Sequence, residues 1–264
     1  ADMLIDSHCH LDHWAEEERA GLVARAREAG VGTLITIGVR MRQAATVKAI
    51  AEAFPEVWCT VGIHPHNAAE EPVPEVAELV ALADHPRVVG LGESGLDYHY
   101  NKAPKNVAAE SFRRHIRAAR ETGLPLVVHA RDADDDIALI LQDEHDRGGA
   151  FPFLLHCFSS GRQLAESAVK IGGLVSFSGI ITFRRSDELR ALARDLPADR
   201  LLIETDAPYL APEPFRGKRC EPGMVAHTAK ALAAVRGLPI AALADLTTAN
   251  TLRLFSRIRL NAAA

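Results

Sequence analysis

Met3-Leu4-Ile5-Asp6-Ser7-His8-Cys9-His10 begins as an apolar run and ends in two imidazoles. On a strand, residues i and i+2 point to the same side, so His8 and His10 face one way and Cys9 the other. Two ring nitrogens side by side at a strand end make half of a metal site. A His-x-His pair in an ordinary loop has the same spacing, so the rest of the chain must decide. It does so by repeating the plan. Strand-like runs follow at 33–37, 58–63, 88–92, 126–129, 153–156, 174–177 and 201–204, with the first at 3–7. Their apolar character is nearly continuous, as expected of parallel strands covered on both faces.

Between these runs lie segments with helical spacing, at 17–29, 43–53, 76–83, 106–122, 134–146, 162–171 and 187–195. Gly30 and Gly123 stand just after two of them, where helix-ending glycines belong. About eight strand–helix units in 264 residues point to an α/β fold of the TIM (β/α)8 type, a closed parallel barrel rather than an open sheet. The tail, 222–259, reads as two extra C-terminal helices, with 243–255 expected to pack on the barrel wall. No linker or low-complexity tract interrupts the chain, so 1–264 reads as a single domain. Ala1-Asp2 reads as a remnant ahead of a native start at Met3.

Composition narrows the classes. Hydrophobic residues make up 48% and charged residues 25%, enough for a sizeable core. No apolar run approaches the roughly 18 residues of a membrane helix, and the N-terminus lacks a basic-then-apolar leader. The formal charge of −5 argues against a wholly basic surface, so any nucleic-acid binding must be local. Cys9, Cys59, Cys157 and Cys220 are widely spaced and read as buried free thiols of a reducing, cytoplasmic protein. A monomer with no obligate protein partner is expected.

In parallel barrels, chemistry sits where strands end and loops lead into helices. Here the first run ends in His8 and His10, the third in His64-Pro65-His66, the fourth in Glu93, the fifth in His129-Ala130-Arg131, the sixth in His156 and the eighth in Glu204-Thr205-Asp206. Each alone has a plainer reading; Asp206, for example, could cap the next turn. Together they fall at one end of one barrel. Imidazoles and carboxylates without a cysteine pair suit zinc, manganese, iron, cobalt or nickel. Six ligands exceed the need of one open catalytic ion and fit two ions sharing a carboxylate. Glu93, mid-barrel, is the natural bridge. His8, His10, Glu93 and Asp206 are assigned to one ion, and Glu93, His129 and His156 to the other. Gly90 and Gly92 are expected to leave room beside Glu93. Two such ions ~3.5–4 Å apart would activate a water for in-line phosphoryl displacement.

With these residues named, the chain resembles the TatD-type metal-dependent deoxyribonucleases of the amidohydrolase-like barrels. The matching stretches are Ile5-Asp6-Ser7-His8-Cys9-His10-Leu11, Val61-Gly62-Ile63-His64-Pro65-His66, Gly90-Leu91-Gly92-Glu93-Ser94-Gly95-Leu96-Asp97-Tyr98, Pro125-Leu126-Val127-Val128-His129-Ala130-Arg131, Leu155-His156-Cys157-Phe158-Ser159 and Glu204-Thr205-Asp206-Ala207-Pro208-Tyr209-Leu210. The resemblance implies a TIM barrel, two divalent ions (Mg, Mn, Zn, Co or Ni) and hydrolysis of DNA phosphodiesters, with 3'-5' exonucleolytic action. Its metal ligands carry over onto His8, His10, Glu93, His129, His156 and Asp206. Two positions depart from the pattern. Cys220 stands where similar chains have Asn, and Ala130 where Ser or Thr is common; both are expected beside the site.

In this reading a metal-activated water attacks phosphorus, Asp206 accepts its proton, and Glu93 and Asp206 form the catalytic pair. His64 and Arg131 are the candidate substrate contacts. Arg184, Arg185, Arg216, Lys218 and Arg219 follow the last two strands and would lie on the same face as further phosphate partners. Tyr98, His99 and Tyr100 could stack on an unpaired base. A lactonase or deacylase, including one acting on aminoacyl-tRNA, is the rival reading, because barrels host many chemistries. A carboxylated lysine bridge marks some of those relatives, and the run ending in Glu93 contains no lysine. A non-catalytic metal-binding protein is the remaining alternative. A closed structural site needs only four ligands.

Overall fold

The computed structural model describes residues 3–260, so the reading of Ala1-Asp2 lies outside the described residues. Eight strands form one sheet in the order of the sequence, every adjacent pair parallel. They are β1 (Leu4–Cys9), β2 (Val31–Thr36), β3 (Val57–Val61), β4 (Val88–Asp97), β5 (Leu126–Arg131), β6 (Phe153–Leu155), β7 (Leu174–Phe177) and β8 (Leu201–Ile203). Seven helices follow the first seven strands: α1 (Glu16–Glu28), α2 (Ala44–Ala53), α3 (Val76–Leu82), α4 (Lys105–Thr122), α5 (Asp134–Gly148), α6 (Arg162–Lys170) and α7 (Asp187–Asp195). Two more, α8 (Val225–Arg236) and α9 (Ile240–Leu254), follow β8 among the described residues. The expected TIM-type architecture is therefore present. Gly123 caps α4 in the left-handed conformation, with its N–H on Ala119 O at 2.8 Å.

The seam between β8 and β1 is closed mostly beyond the end of β8. Asp206 N donates to His8 O and His10 N to Ala207 O, both at 2.8 Å. Buried Asp6 adds a side-chain clasp, accepting from Thr205 N at 2.9 Å and Thr205 Oγ1 at 2.6 Å. The seam thus forms out of the segments that carry His8, His10 and Asp206.

Alternation sorts the strand residues. Ile35, Trp58, Val89, Val127, Leu154, Leu174 and Leu202, one from each of β2 to β8, form an inner apolar cluster with Leu254, Phe255 and Ile258. Their strand neighbours Leu34, Val57, Val88, Leu126, Leu155, Val175 and Leu201 join the helices in the outer core. The tail expectation needs correcting here. Leu243 and Ala244 of α9 pack on the wall, but Leu254 and Phe255 turn under the barrel and join its inner cluster. Gly90 also differs from expectation. A Cβ there would meet Pro125 O, Phe255 and Thr60, so Gly90 makes room for the adjoining backbone and this plug and not for Glu93.

The fourth strand is twice the expected length, because its glycines are conformational devices and not breakers. Gly92 pairs with Val127 and Ser94 with Val128, so Glu93 is the extra residue of a β-bulge. Gly92 has φ +112°, and a Cβ would sit 2.7 Å from Val127 O. Beyond the bulge, Gly95 passes so close to His129 O that no side chain fits. This close approach lets β4 and β5 continue together to Asp97 and Arg131. No single helix among the described residues is long and apolar enough to cross a membrane.

Candidate metal centre

The side chains expected to act together converge at the C-terminal mouth of the barrel. His8 is fully buried, and Glu93 is 2% exposed. His8 Nε2 lies 3.2 Å from His10 Nε2, 3.3 Å from Asp206 Oδ1 and 3.4 Å from Glu93 Oε2. His10 Nε2 is 3.2 Å from Asp206 Oδ1 and 3.9 Å from Glu93 Oε2. The other Glu93 oxygen faces a different group. Its Oε1 is 2.6 Å from His156 Nε2, 3.1 Å from His129 Nδ1 and 3.4 Å from His64 Nε2. The two oxygens of one carboxylate therefore divide the cluster into two halves. His8 and His10, at the end of β1, meet Oε2 and carry Asp206 of the β8 end with them, and residues from the ends of β3, β5 and β6 meet Oε1.

Hydrogen bonds on the outer ring nitrogens sort the histidines. His129 Nε2 is 2.9 Å from Asp97 Oδ2, and His156 Nδ1 is 3.1 Å from Glu204 Oε2. An ionised carboxylate accepts only, so each ring donates there and turns its other nitrogen, with its lone pair, toward Glu93. His64 is the reverse case. Its Nδ1 accepts from His66 N at 3.0 Å, so the neutral ring carries its proton on Nε2 and aims a donor at the centre. Burial, opposed by Glu93, lowers the His64 pKa to about 4 and keeps the ring neutral. His8 Nδ1 and His10 Nδ1 are buried and have no partner among the described residues.

The electrostatics are those of a cation site. Burial disfavours charge on Glu93, but His156, His64 and His8 outweigh it and hold the carboxyl well below its usual range. Asp206 is likewise held low, against its burial, by hydrogen bonds from His10 and His8. Burial and His156 oppose protonation of His8, yet Glu93, Glu204 and Asp206 lift it to about 9. The cluster thus demands positive charge beside its carboxylates. A divalent ion satisfies that demand and leaves the imidazoles neutral, and the donor set of ring nitrogens and carboxylate oxygens suits one. The groupings close enough to share an ion include His8, His10, Glu93 and Glu93, His129, His156, and also His8, His156, Glu204, Asp206, which crosses between the halves where the His8 and His156 rings stack 3.9 Å apart.

Several residues were missed or misjudged from sequence. Asp97 and Glu204 had no assigned role, yet both are buried and each grips a histidine of the cluster. Their positions were readable, since Asp97 is four residues beyond Glu93 and Glu204 two before Asp206. Asp97 Oδ2 also lies 2.8 Å from His66 Nε2. Buried His115 on α4 accepts from Ile63 N at 3.1 Å and fixes the end of β3. The Asp206 side chain does not cap the next turn: its backbone O accepts from Tyr209 N at 3.0 Å, while its carboxylate faces His8 and His10.

The centre forms the floor of a cleft of about 750 Å³ whose walls include Arg40, His64, Tyr100, Lys102, Arg131, Ile180, Tyr209 and Leu210. Arg131 lies over the Tyr100 ring, 5.0 Å from its centroid. Tyr98 is not part of that wall; its hydroxyl donates to Asp136 and its ring packs under Lys105. His99 pairs with Asp132. Only Tyr100 of the three aromatic candidates reaches the cleft. Cys157 is half-buried at the cleft, unlike the other three cysteines, and Cys220 belongs to the outer core. Ala130 lines the cleft.

Comparison with known proteins gives a consistent result. The family model described as TatD related DNase matches residues 5–256. An uncharacterized metal-dependent hydrolase, YcfH of Escherichia coli (strain K12), is 40% identical over 258 residues, covering 96% of this chain and 95% of that protein. A protein named 3'-5' ssDNA/RNA exonuclease TatD, from Cronobacter sakazakii, is 37% identical over 246 residues, covering 91% of this chain and 92% of its own length. Among solved structures, the TatD homolog YJJV from Escherichia coli k12 superposes with a TM-score of 0.85 at 29% identity, covering 96% of this chain and 98% of that one.

Proposed function

The chain belongs to the TatD related DNase family of metal-dependent hydrolases, and on that premise we propose that it hydrolyses phosphodiester bonds at the ends of DNA strands, working 3' to 5'. The observation that carries the reading is the division of Glu93. Its two oxygens face two separate donor groups, as a carboxylate shared by two divalent ions requires. His8, His10 and Asp206 would hold one ion with Glu93, and His129 and His156 the other. When bound, two such ions lower the pKa of a coordinated water and offset charge on the phosphate.

The residues themselves do the rest. Asp97 and Glu204 hold His129 and His156 with their lone pairs turned inward. Asp206, kept ionised by His10 and His8, is the acceptor for the proton of the attacking water. His64 points an N–H at the same place and can donate to a phosphate oxygen. Arg131, unpaired with any carboxylate among the described residues, supplies positive charge on the wall of the cleft. The buried floor favours a strand end over an internal bond of a duplex, since the phosphate must descend into a cleft.

The test uses metal-stripped protein with end-labelled single- and double-stranded DNA, adding Mg, Mn, Zn, Co or Ni in turn. A ladder shortening from the 3' end is expected. Intact DNA under all five ions, alongside hydrolysis of a lactone or an aminoacyl ester, would replace the nuclease reading with the deacylase one.

A further inference from the structure

The loops beyond β7 and β8 supply Ile180, Tyr209 and Leu210 to the cleft wall. Further out, the same loops carry Arg184, Arg185, Arg216, Lys218 and Arg219, all exposed. The loops are fastened to each other and to the turn after β1. Arg216 lies 3.8 Å from the centroid of the Phe183 ring, and Glu213 N donates to Thr182 Oγ1 at 2.9 Å. Arg219 lies over Trp14 and donates to His13 O at 3.1 Å. The five cations therefore sit on one braced rim and not on separate mobile loops.

Many arginines on the helical shell are matched to carboxylates, as in Arg25–Glu221, Arg27–Glu56, Arg113–Glu144, Arg162–Asp195 and Arg190–Asp187, while others, such as Arg19, Arg236 and Arg253, donate to backbone carbonyls. None of the five rim cations forms an ion pair among the described residues. The acids nearest in sequence are Asp187, taken up by Arg190, Glu221, taken up by Arg25, and Glu188 and Glu213, both exposed, so the rim keeps an excess of positive charge. In a chain of net charge −5, uncompensated cations beside the site give a local field for a polyanion.

We infer that this rim holds the phosphates of the strand whose end lies in the cleft, making the protein selective for polynucleotides over di- or trinucleotides. The inference rests on the nuclease reading above and adds to it a binding track that a small ester would never touch. Phosphate contacts of this kind position a strand without reading its sequence, and each releases counterions.

The experiment measures KM for single-stranded oligonucleotides of 2, 3, 8 and 20 nucleotides across a salt series, with bis(p-nitrophenyl) phosphate as a diester too small to reach the rim. The proteins are wild type, Arg184→Ser/Arg185→Ser, and those two changes with Lys218→Ser added. Wild type should show KM falling at least tenfold from 2 to 20 nucleotides. In the variants that gain should shrink, and the slope of log KM against log salt should flatten by about 0.7 per lost phosphate contact. Hydrolysis of the small diester should be unchanged. The double variant alters only exposed side chains with no ion pairs, so it decides the matter if the triple variant folds poorly. Equal KM at all lengths, or variants matching wild type on 20 nucleotides, would overturn the track and leave the nuclease reading standing. Wild type that cleaves the small diester but no oligonucleotide would instead remove the nuclease reading itself.

Discussion

The two halves of the centre are built differently. On the β5–β6 side, His129 and His156 are each gripped from behind by a buried carboxylate, Asp97 or Glu204. On the β1–β8 side, His8 and His10 present Nε2 to the centre while their buried Nδ1 atoms have no partner among the described residues. Those rings are placed by strand geometry and by the barrel seam, where Asp206 N and His10 N bond across from β8 to β1. One half is thus oriented by side-chain hydrogen bonds, the other by backbone closure. The difference teaches where each half should be vulnerable.

Glu93 joins the halves, so its loss should have the largest effect. Glu93→Ala should lower turnover by at least about a thousandfold and release metal from both sides, as read by elemental analysis of the purified variant. A variant that retains turnover would break the comparison at its centre. Asp97→Asn and Glu204→Gln should act mainly on one half. Metal affinity there should weaken about 10- to 100-fold in chelator competition, with a smaller change on the β1–β8 side. Equal weakening of both halves would mean that the carboxylates act through charge and not through orientation. His64→Gln should cost less, on the order of tenfold in kcat/KM, with metal content unchanged, because the ring offers a proton and not a lone pair.

The smallest effect concerns stability. Burial holds His115 at a pKa of about 4, below its free value near 6.5, so the folded state binds fewer protons than the unfolded chain. The stability it lends is complete above pH 6.5 and lost as pH falls from there through 4. A thermal melting temperature that drops by several degrees over that window, with a shallower drop in His115→Gln, is expected. An identical drop in the variant would assign the acid sensitivity to other groups.

Much of this was legible from the residues. Among the described residues, the continuous apolar runs and helical spacings located the eight strands and the first seven helices to within a few residues, except at β4, and foresaw two helices in the tail without bounding the first of them. The apolar run read from sequence ends at 92, where Gly92-Glu93-Ser94-Gly95 interrupts it. In space, Gly92 makes the bulge that turns out Glu93, and Gly95 admits the backbone of His129. Stopping the strand early also hid Asp97, whose purpose appears only when β4 and β5 run on together. His115 was invisible for another reason: a histidine in a helix gives no sign that its ring will receive the N–H of Ile63, 52 residues away. The plugging of the floor by Phe255 was equally silent, since wall and floor both ask for apolar residues.

The central claim is that one carboxylate serves two cations. A crystal structure of the manganese-loaded protein, recorded at the metal absorption edge, tests it most directly. The account predicts two anomalous peaks on opposite sides of Glu93, one within reach of His8, His10 and Asp206 and the other of His129 and His156. A single peak, or two peaks of which neither contacts Glu93, would contradict it.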